Sequence, residues 1–229
     1  MLKRGVSFKS TASSIPFTPK TRSKLNAAPL GLAAVGLFSM VLGLDALIIT
    51  TGNNLQIPWI AGAALMLFIS SILCFKKDDV YEGTFFGALG GWAAATAFYF
   101  AIQSWSAAAT IAAFPVPIDQ HLASAFGFMS ILLGVLGLSG IFVSSGYSSL
   151  SCTLSMAMGT KSLSIFSAFA ASWIPGSLFI MSVVISIYLV FAHLAFQVTG
   201  FEGFPIGNNW IPKKLFISLI TGENTEKNK

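Results

Sequence analysis

The sequence contains six apolar stretches that are each long enough to cross a lipid bilayer as a helix. A span needs roughly 20 apolar residues to cross about 30 Å of hydrocarbon, and only short polar breaks separate these stretches. They cover Ala28–Ile49, Pro58–Phe75, Thr84–Gln103, Leu122–Phe142, Ser148–Ala171 and Gly176–Gln197. Because 55% of the 229 residues are hydrophobic and only 9% are charged, the chain is predicted to be an all-α membrane protein.

The connections between the stretches are too short to fold as separate domains. The sequence therefore predicts one transmembrane domain of six helices over residues 26–207. A basic tail rich in Ser and Thr precedes it at residues 1–25, and a polar tail follows it at residues 208–229. Its partner is the lipid bilayer that these helices cross.

Twelve of the thirteen Lys and Arg residues lie on one side of this arrangement, and the other, Lys161, falls inside the fifth stretch. Six of them precede the first stretch, two follow the second and four follow the sixth, whereas the three opposite connections contain none. Since basic residues concentrate in short cytoplasmic loops, both termini are predicted to be cytoplasmic. The net charge of +5 is then a signal of membrane topology, and no nucleic-acid partner is expected.

The first 25 residues fit two kinds of segment, because both cytosolic tails and organellar transit peptides can be basic, Ser/Thr-rich and free of acidic residues. A cytosolic tail is compatible with a multi-pass protein of the plasma membrane. A transit segment would direct the chain to a mitochondrial or other organellar membrane. The composition alone leaves both open.

Residues that could carry chemistry are few. Cys74 and Cys152 have no metal-ligand spacing, and His121 and His193 have no partner carboxylate at helical spacing. We therefore expect no enzyme, no cofactor and no metal site. Both cysteines are interpreted as small apolar filling residues, with palmitoylation as an alternative for Cys74.

Small residues recur at the spacing of helix contacts. Gly83, Gly87, Gly91 and Ala95 follow one another every four residues, and Gly134 lies in the fourth stretch. Such faces let a second helix approach closely. The contact is either within one protomer or between the subunits of a homo-oligomer.

Three ionisable residues fall inside the predicted spans, where charge is costly and usually finds a polar path or a partner. Asp45 is expected near the outer end of span one, His193 near the inner end of span six, and Lys161 closest to the middle. Asp45 and His193 can also reach the interfaces by extending their side chains. Lys161 has three interpretations: an ion pair with Asp45, a contact with a substrate anion, or a residue at the interface or in a loop.

The start of the first span has the residues of a helix N-terminus. Pro29 suits the first turn, where its missing N–H removes no hydrogen bond, and the side-chain oxygen of Asn26 can cap the free amides. A helix N-terminus also attracts anions.

The same stretch, residues 26–32, resembles the opening motif of the acetate uptake transporters, also called succinate–acetate permeases. That motif reads Asn-Pro-Ala-Pro-Leu-Gly-Leu, and Ala27 stands in place of the first proline. A second match, at 76–77 and 83–87, is similar to the family's Gly-Asn-Thr-Phe-Gly signature. A third, at 188–189 and 204–207, is similar to the family's Leu-Pro-Ile-Gly segment.

The resemblance implies a six-helix protomer, assembled as a hexamer, that carries small monocarboxylates such as acetate, with succinate as a further candidate. The sequence also departs from the family pattern: Val35 stands in place of a constriction Phe, and Leu67 and Cys74 stand in place of polar residues. The third span carries Trp92 but no tyrosine where relatives have one in its first half. Two functions are therefore considered: a carboxylate transporter or channel, and a structural subunit of a larger membrane complex that does not transport. The candidate pathway residues are Asn26, Pro29, Leu30, Gly31, Leu32, Val35, Asp45 and Lys161.

Overall fold

The computed structural model describes residues 27–47, 53–108, 118–166 and 173–199. These residues form six α-helices: α1 (Ala28–Ala46), α2 (Asn53–Phe75), α3 (Val80–Ala108), α4 (Ile118–Gly140), α5 (Ser145–Phe166) and α6 (Trp173–Thr199). Each predicted span coincides with one helix, which confirms the all-α, six-helix prediction. Asn26, both predicted tails and the segment 204–207 lie outside the described residues.

Five of the helices are long and apolar enough to cross a membrane, and α5 is the exception. It contains seven serines and two threonines among its 22 residues. The helix therefore has the length of a span without the composition of one, and its polar side chains need partners inside the protein.

Helix α4 supplies these partners through a hydrogen-bonded seam that repeats every seven residues. In each case a serine hydroxyl donates to a backbone carbonyl across the seam at 2.7–2.9 Å. The bonds run from Ser148 to Gly137, from Ser155 to Ser130, from Ser130 back to Ser155, and from Ser162 to Ala123. The seam lets a serine-rich helix pack within a membrane bundle, because its hydroxyls donate to protein instead of facing lipid.

Successive helices run in opposite directions, and the bundle is built from three close pairs. Helix α2 packs on α3, α4 on α5, and α1 on α6, and α1 also contacts α2 while α5 contacts α6. Helices α3 and α4 touch only slightly. The order around the bundle is therefore α3, α2, α1, α6, α5, α4, with an interior that all six helices surround.

We name the two ends of this bundle by residues. The Lys161 end is where α1, α3 and α5 finish, and the Glu82 end is where these three helices begin. Three largely exposed tryptophans, Trp59, Trp105 and Trp173, lie toward the Lys161 end. Lys76 and Lys77 lie at the Glu82 end. Tryptophan is enriched at membrane interfaces and lysine in cytoplasmic loops.

Glycines on α3 bring that helix close to α2. A Cβ atom at Gly83 would lie 2.9 Å from the Phe75 ring, and one at Gly87 would lie 2.9 Å from Ser71 Oγ. The next contact with α2 is made by Gly90, whereas a Cβ at Gly91 would meet nothing within 4 Å. On α4, Gly134 faces Ser155 of α5. Gly83, Gly87 and Gly134 thus lie at helix contacts within the protomer, and Gly91 does not.

Replacing Gly87 by leucine is expected to destabilise the protein, because the new side chain must displace Ser71 and separate α3 from α2. Overpacking of this kind costs about 1–3 kcal/mol. Gly91→Leu is the matched control, since it adds the same side chain to the same helix with open space around it. Thermal unfolding in detergent should show a lower midpoint for Gly87→Leu alone. Equal midpoints would remove Gly87 from the helix contact, and a changed oligomer size in Gly91→Leu would place Gly91 between subunits.

The topology prediction can be tested by labelling single cysteines at opposite ends of the bundle. Lys76 and His121 are exposed and lie at the Glu82 end and the Lys161 end, respectively. In a Cys74→Ser, Cys152→Ser background, a membrane-impermeant maleimide should label Lys76→Cys from the cytoplasmic side and His121→Cys from the opposite side. Labelling of both from one side would contradict the six-span arrangement, and the reverse pattern would invert the predicted orientation.

Candidate functional site

One face of α1 forms a buried stripe along the interior of the bundle. Gly31, Val35, Phe38, Leu42 and Asp45 are spaced by three or four residues, which places them on one side of a helix. Val35, Phe38 and Leu42 are almost completely buried. The stripe therefore connects the Glu82 end, where Gly31 lies, to the Lys161 end, where Asp45 lies.

Helix α5 presents a similar stripe. Tyr147, Leu150, Leu154, Met158 and Lys161 are again spaced by three or four residues, and the first four are at most 1% exposed. Tyr147 marks the Glu82 end of this stripe and Lys161 the opposite end. Both stripes are therefore apolar along the middle of the bundle and end in a charged residue at the Lys161 end.

At the Lys161 end, the two stripes meet in an ion pair. Lys161 Nζ lies 3.9 Å from Asp45 Oδ2, and the two side chains remain 22% and 27% exposed. The Gln56 amide of α2 donates to the other Asp45 oxygen at 3.4 Å. A cation, a carboxylate and an amide from three helices are thus gathered where the interior opens toward solvent.

Of the three interpretations of Lys161, the structure shows the ion pair with Asp45. Its depth differs from the expectation, because Asp45 is the penultimate residue of α1 and Lys161 lies beside it. Lys161 is therefore near one end of the bundle and not in the middle. The partial exposure of Lys161 leaves its ammonium accessible to a small anion.

At the Glu82 end, four polar side chains from four helices form a buried cluster. Cys74 Sγ of α2 donates to Glu82 Oε2 of α3 at 3.6 Å. The Tyr147 hydroxyl of α5 lies beside Glu82, and it is 3.4 Å from His193 Nε2 of α6. All four side chains are less than 9% exposed. The carboxylate of Glu82 is thus held by hydrogen bonds inside the bundle.

This cluster corrects two interpretations from the sequence and adds a residue. Cys74 is a hydrogen-bond donor to a buried carboxylate and not an apolar filling residue, and its burial leaves it inaccessible for palmitoylation. His193 is packed against Tyr147 instead of reaching the interface. Glu82 was not predicted, because it lies just before the apolar stretch that begins at Thr84. Within the described ranges, no three His, Cys, Asp or Glu side chains are placed to bind a metal ion.

Between the two polar ends the stripes of α1 and α5 are apolar. Val35, Phe38, Leu150 and Leu154 are each at most 1% exposed. Val35 stands where the resemblance leads one to expect a phenylalanine, and Phe38 follows it by one turn on the same stripe. An aromatic ring is therefore present in the α1 stripe, but it lies one helical turn farther from the Glu82 end.

The opening motif folds as a helix start with one close contact. The N-cap residue of α1 is Ala27, which has no capping side chain, and Pro29 is buried within the first turn. A Cβ atom at Gly31 would lie only 2.6 Å from the Phe86 ring of α3, so a side chain there requires the ring or the helix to shift. Leu30 is 38% exposed, whereas Leu32 is fully buried. The capping role of Asn26 stays a prediction, since that residue lies outside the described part of the chain.

These features define a six-helix membrane bundle with two polar ends and an apolar middle. The fold is similar to that of a solved protein, the bacterial acetate channel SatP. The two share a TM-score of 0.71 and 18% sequence identity, over 81% of this chain and 100% of SatP. No protein-family model matches the chain, and no curated protein matches its sequence. The fold expected from the resemblance is therefore confirmed.

Proposed function

We propose that this chain is a transporter or channel for small monocarboxylates such as acetate, and a member of the acetate uptake transporter family. The observation that carries the proposal is the similarity of its fold to the whole length of the bacterial acetate channel SatP. The order and spacing of the three family-like motifs support the same assignment. The pathway runs through the interior of one protomer between the Lys161 end and the Glu82 end.

The Lys161 end supplies a binding element for an anion. Lys161 is the cation that faces Asp45, and its partial exposure allows a carboxylate to reach it. A carboxylate and an ammonium form a charge-assisted hydrogen bond, which is stronger than one between neutral groups. One cation matches one carboxylate, which suits a monocarboxylate better than a dicarboxylate.

Polar atoms in the middle of the bundle support a path for a polar solute. The hydroxyls of Ser39 and Ser186 and the indole Nε1 of Trp92 are buried and have no hydrogen-bond partner among the described residues. Each residue is near the middle of its helix, on α1, α6 and α3 respectively. Buried polar groups of this kind usually bind water or a ligand, so they can serve a carboxylate that crosses the apolar middle.

The remaining assignments follow the sequence. Both termini are cytoplasmic, the protomers assemble as a homo-oligomer with the hexamer as the expected form, and the protein resides in the plasma membrane. An organellar membrane is the alternative if residues 1–25 act as a transit segment. The pathway needs no cofactor and involves no enzymatic step.

Competition against labelled acetate in proteoliposomes tests the substrate class. Formate and propionate should reduce acetate uptake, because each offers one carboxylate on a short apolar group. Succinate tests the extension to dicarboxylates, and inhibition by succinate would add it to the substrates. Uptake that none of the monocarboxylates reduces would contradict the proposed substrate class, and a reconstituted protein without any uptake would favour the structural-subunit alternative.

A further inference from the structure

Aromatic rings close the Glu82 end of the bundle. The Tyr147 ring packs edge-on against Tyr81 at 6.0 Å and against Phe85 at 6.2 Å, measured between ring centroids. Phe85 in turn contacts Phe86, whose ring covers Gly31 of α1. Tyr147, Phe85 and Phe86 are at most 1% exposed. These rings therefore occupy the interior between α1, α3 and α5.

Tyr147 links helices that are not neighbours. Helix α4 lies between α3 and α5 in the order of the bundle, so the contact from α5 to α3 crosses the interior. It is made by side chains: the two ring contacts, the Tyr147 hydroxyl beside Glu82, and the Tyr81 hydroxyl, which lies 3.4 Å from Ser151 Oγ of α5. A rotation of these side chains can break the contact without separating the packed helix pairs.

The hydroxyl of Tyr147 has matched partners on both sides. With the ring proton of His193 on Nε2, the hydroxyl accepts from His193 at 3.4 Å and can donate to the Glu82 carboxyl group beside it. Cys74 donates to the same carboxylate. This chain of bonds fixes the ring orientation, because a buried tyrosine or carboxylate that loses its partner becomes costly.

We propose that Tyr147 is the latch of a gate at the Glu82 end, held shut by its hydroxyl between Glu82 and His193. The gate rests on the pathway proposed above. A carboxylate that arrives from the interior offers the hydroxyl the same kind of acceptor that Glu82 provides. Its negative charge also repels Glu82. The substrate carboxylate can thus replace Glu82 as the hydrogen-bond acceptor of Tyr147, and the gate opens.

The reaction rate of the Cys74 thiol shows whether this gate is open or closed, without any transport measurement. It is 1% exposed when the latch is shut, and in a Cys152→Ser background it is the one remaining thiol of the chain. A small water-soluble methanethiosulfonate should react with it slowly. In Tyr147→Phe, which keeps the ring and removes the hydroxyl, the rate should rise by about tenfold or more, as expected for loss of a hydrogen bond to a charged group.

Tyr99→Phe is the matched control, because it removes a tyrosine hydroxyl from α3 at a distance from the Glu82 cluster, and it should leave the rate unchanged. If Tyr147→Phe does not elute as a single species, His193→Leu takes its place, since it removes one partner of the hydroxyl and keeps Tyr147 and Cys74. An unchanged Cys74 rate in the folded variant would overturn the latch. A wild-type protein that does not carry acetate would contradict the proposed function and leave this labelling result standing.

Discussion

Replacing Lys161 by methionine is expected to reduce acetate uptake by about ten- to a hundredfold at low substrate concentration. The change keeps much of the side chain's length and removes the ammonium, whose hydrogen bond to a carboxylate contributes about 1.5–3 kcal/mol. The loss should appear as a higher KM, because the proposed role of Lys161 is to bind the carboxylate at one end of the pathway. Initial uptake rates in proteoliposomes at a series of acetate concentrations measure it.

Asp45→Asn gives the opposite expectation and separates a binding role from a structural one. Asp45 forms an ion pair with Lys161; under the proposed role of Lys161 it would compete with the substrate, so its neutralisation should lower the KM for acetate. Lys161→Arg is the control, because it keeps the positive charge and should keep most of the uptake. If the ion pair only stabilises the fold, both neutral variants will lose thermal stability and neither will shift the KM, which would exclude Lys161 from the site.

Gly31→Ala is expected to have the largest effect on stability of any single methyl group added to α1. The new Cβ would lie 2.6–2.7 Å from three atoms of the Phe86 ring, and that ring is fully buried against Phe85. Either the ring or α1 must move, at a cost of about 1–3 kcal/mol. A lower midpoint of thermal unfolding in detergent is the expected result.

Gly36→Ala is the matched control on the same helix, because its Cβ would lie 3.4 Å from Ser186 Cβ, an ordinary contact. It should leave the midpoint nearly unchanged. A second check combines Gly31→Ala with Phe86→Leu, which removes the ring that the methyl group meets. The double variant should lose less stability than the sum of the two single variants, and simple additivity would show that Gly31 and Phe86 are not in contact.

The number of helices could be predicted from the sequence because six apolar stretches are separated by clear polar breaks. Their ends were less certain: α2 begins at Asn53, before the predicted Pro58, and α3 extends beyond Gln103 to Ala108. Helical hydrogen bonding continues past the apolar stretch at such ends, so hydropathy alone does not mark the boundary. The heptad of Ser148, Ser155 and Ser162 was visible in the sequence, yet its partners on α4 depend on the packing.

The ion pair of Asp45 and Lys161 could be proposed from the sequence, since buried opposite charges usually find each other. Its position could not, because the depth of Lys161 depends on where α5 lies relative to α1. The Glu82 cluster was missed because its members come from four helices whose packing the sequence does not show. Cys74, Glu82, Tyr147 and His193 are separated by up to 119 positions, and only the alternating directions of the helices bring them to one end.

The most direct test of the pathway is the initial rate of labelled acetate entry into liposomes that contain the purified wild-type protein. The measurement belongs at neutral or higher pH, where a carboxylic acid is almost entirely ionised, and protein-free liposomes give the rate at which the remaining neutral acid crosses the bilayer. The account predicts entry well above that of protein-free liposomes, with a rate that saturates as acetate increases. Entry at the rate of protein-free liposomes, from a protein that remains folded, would contradict a carboxylate pathway through this bundle.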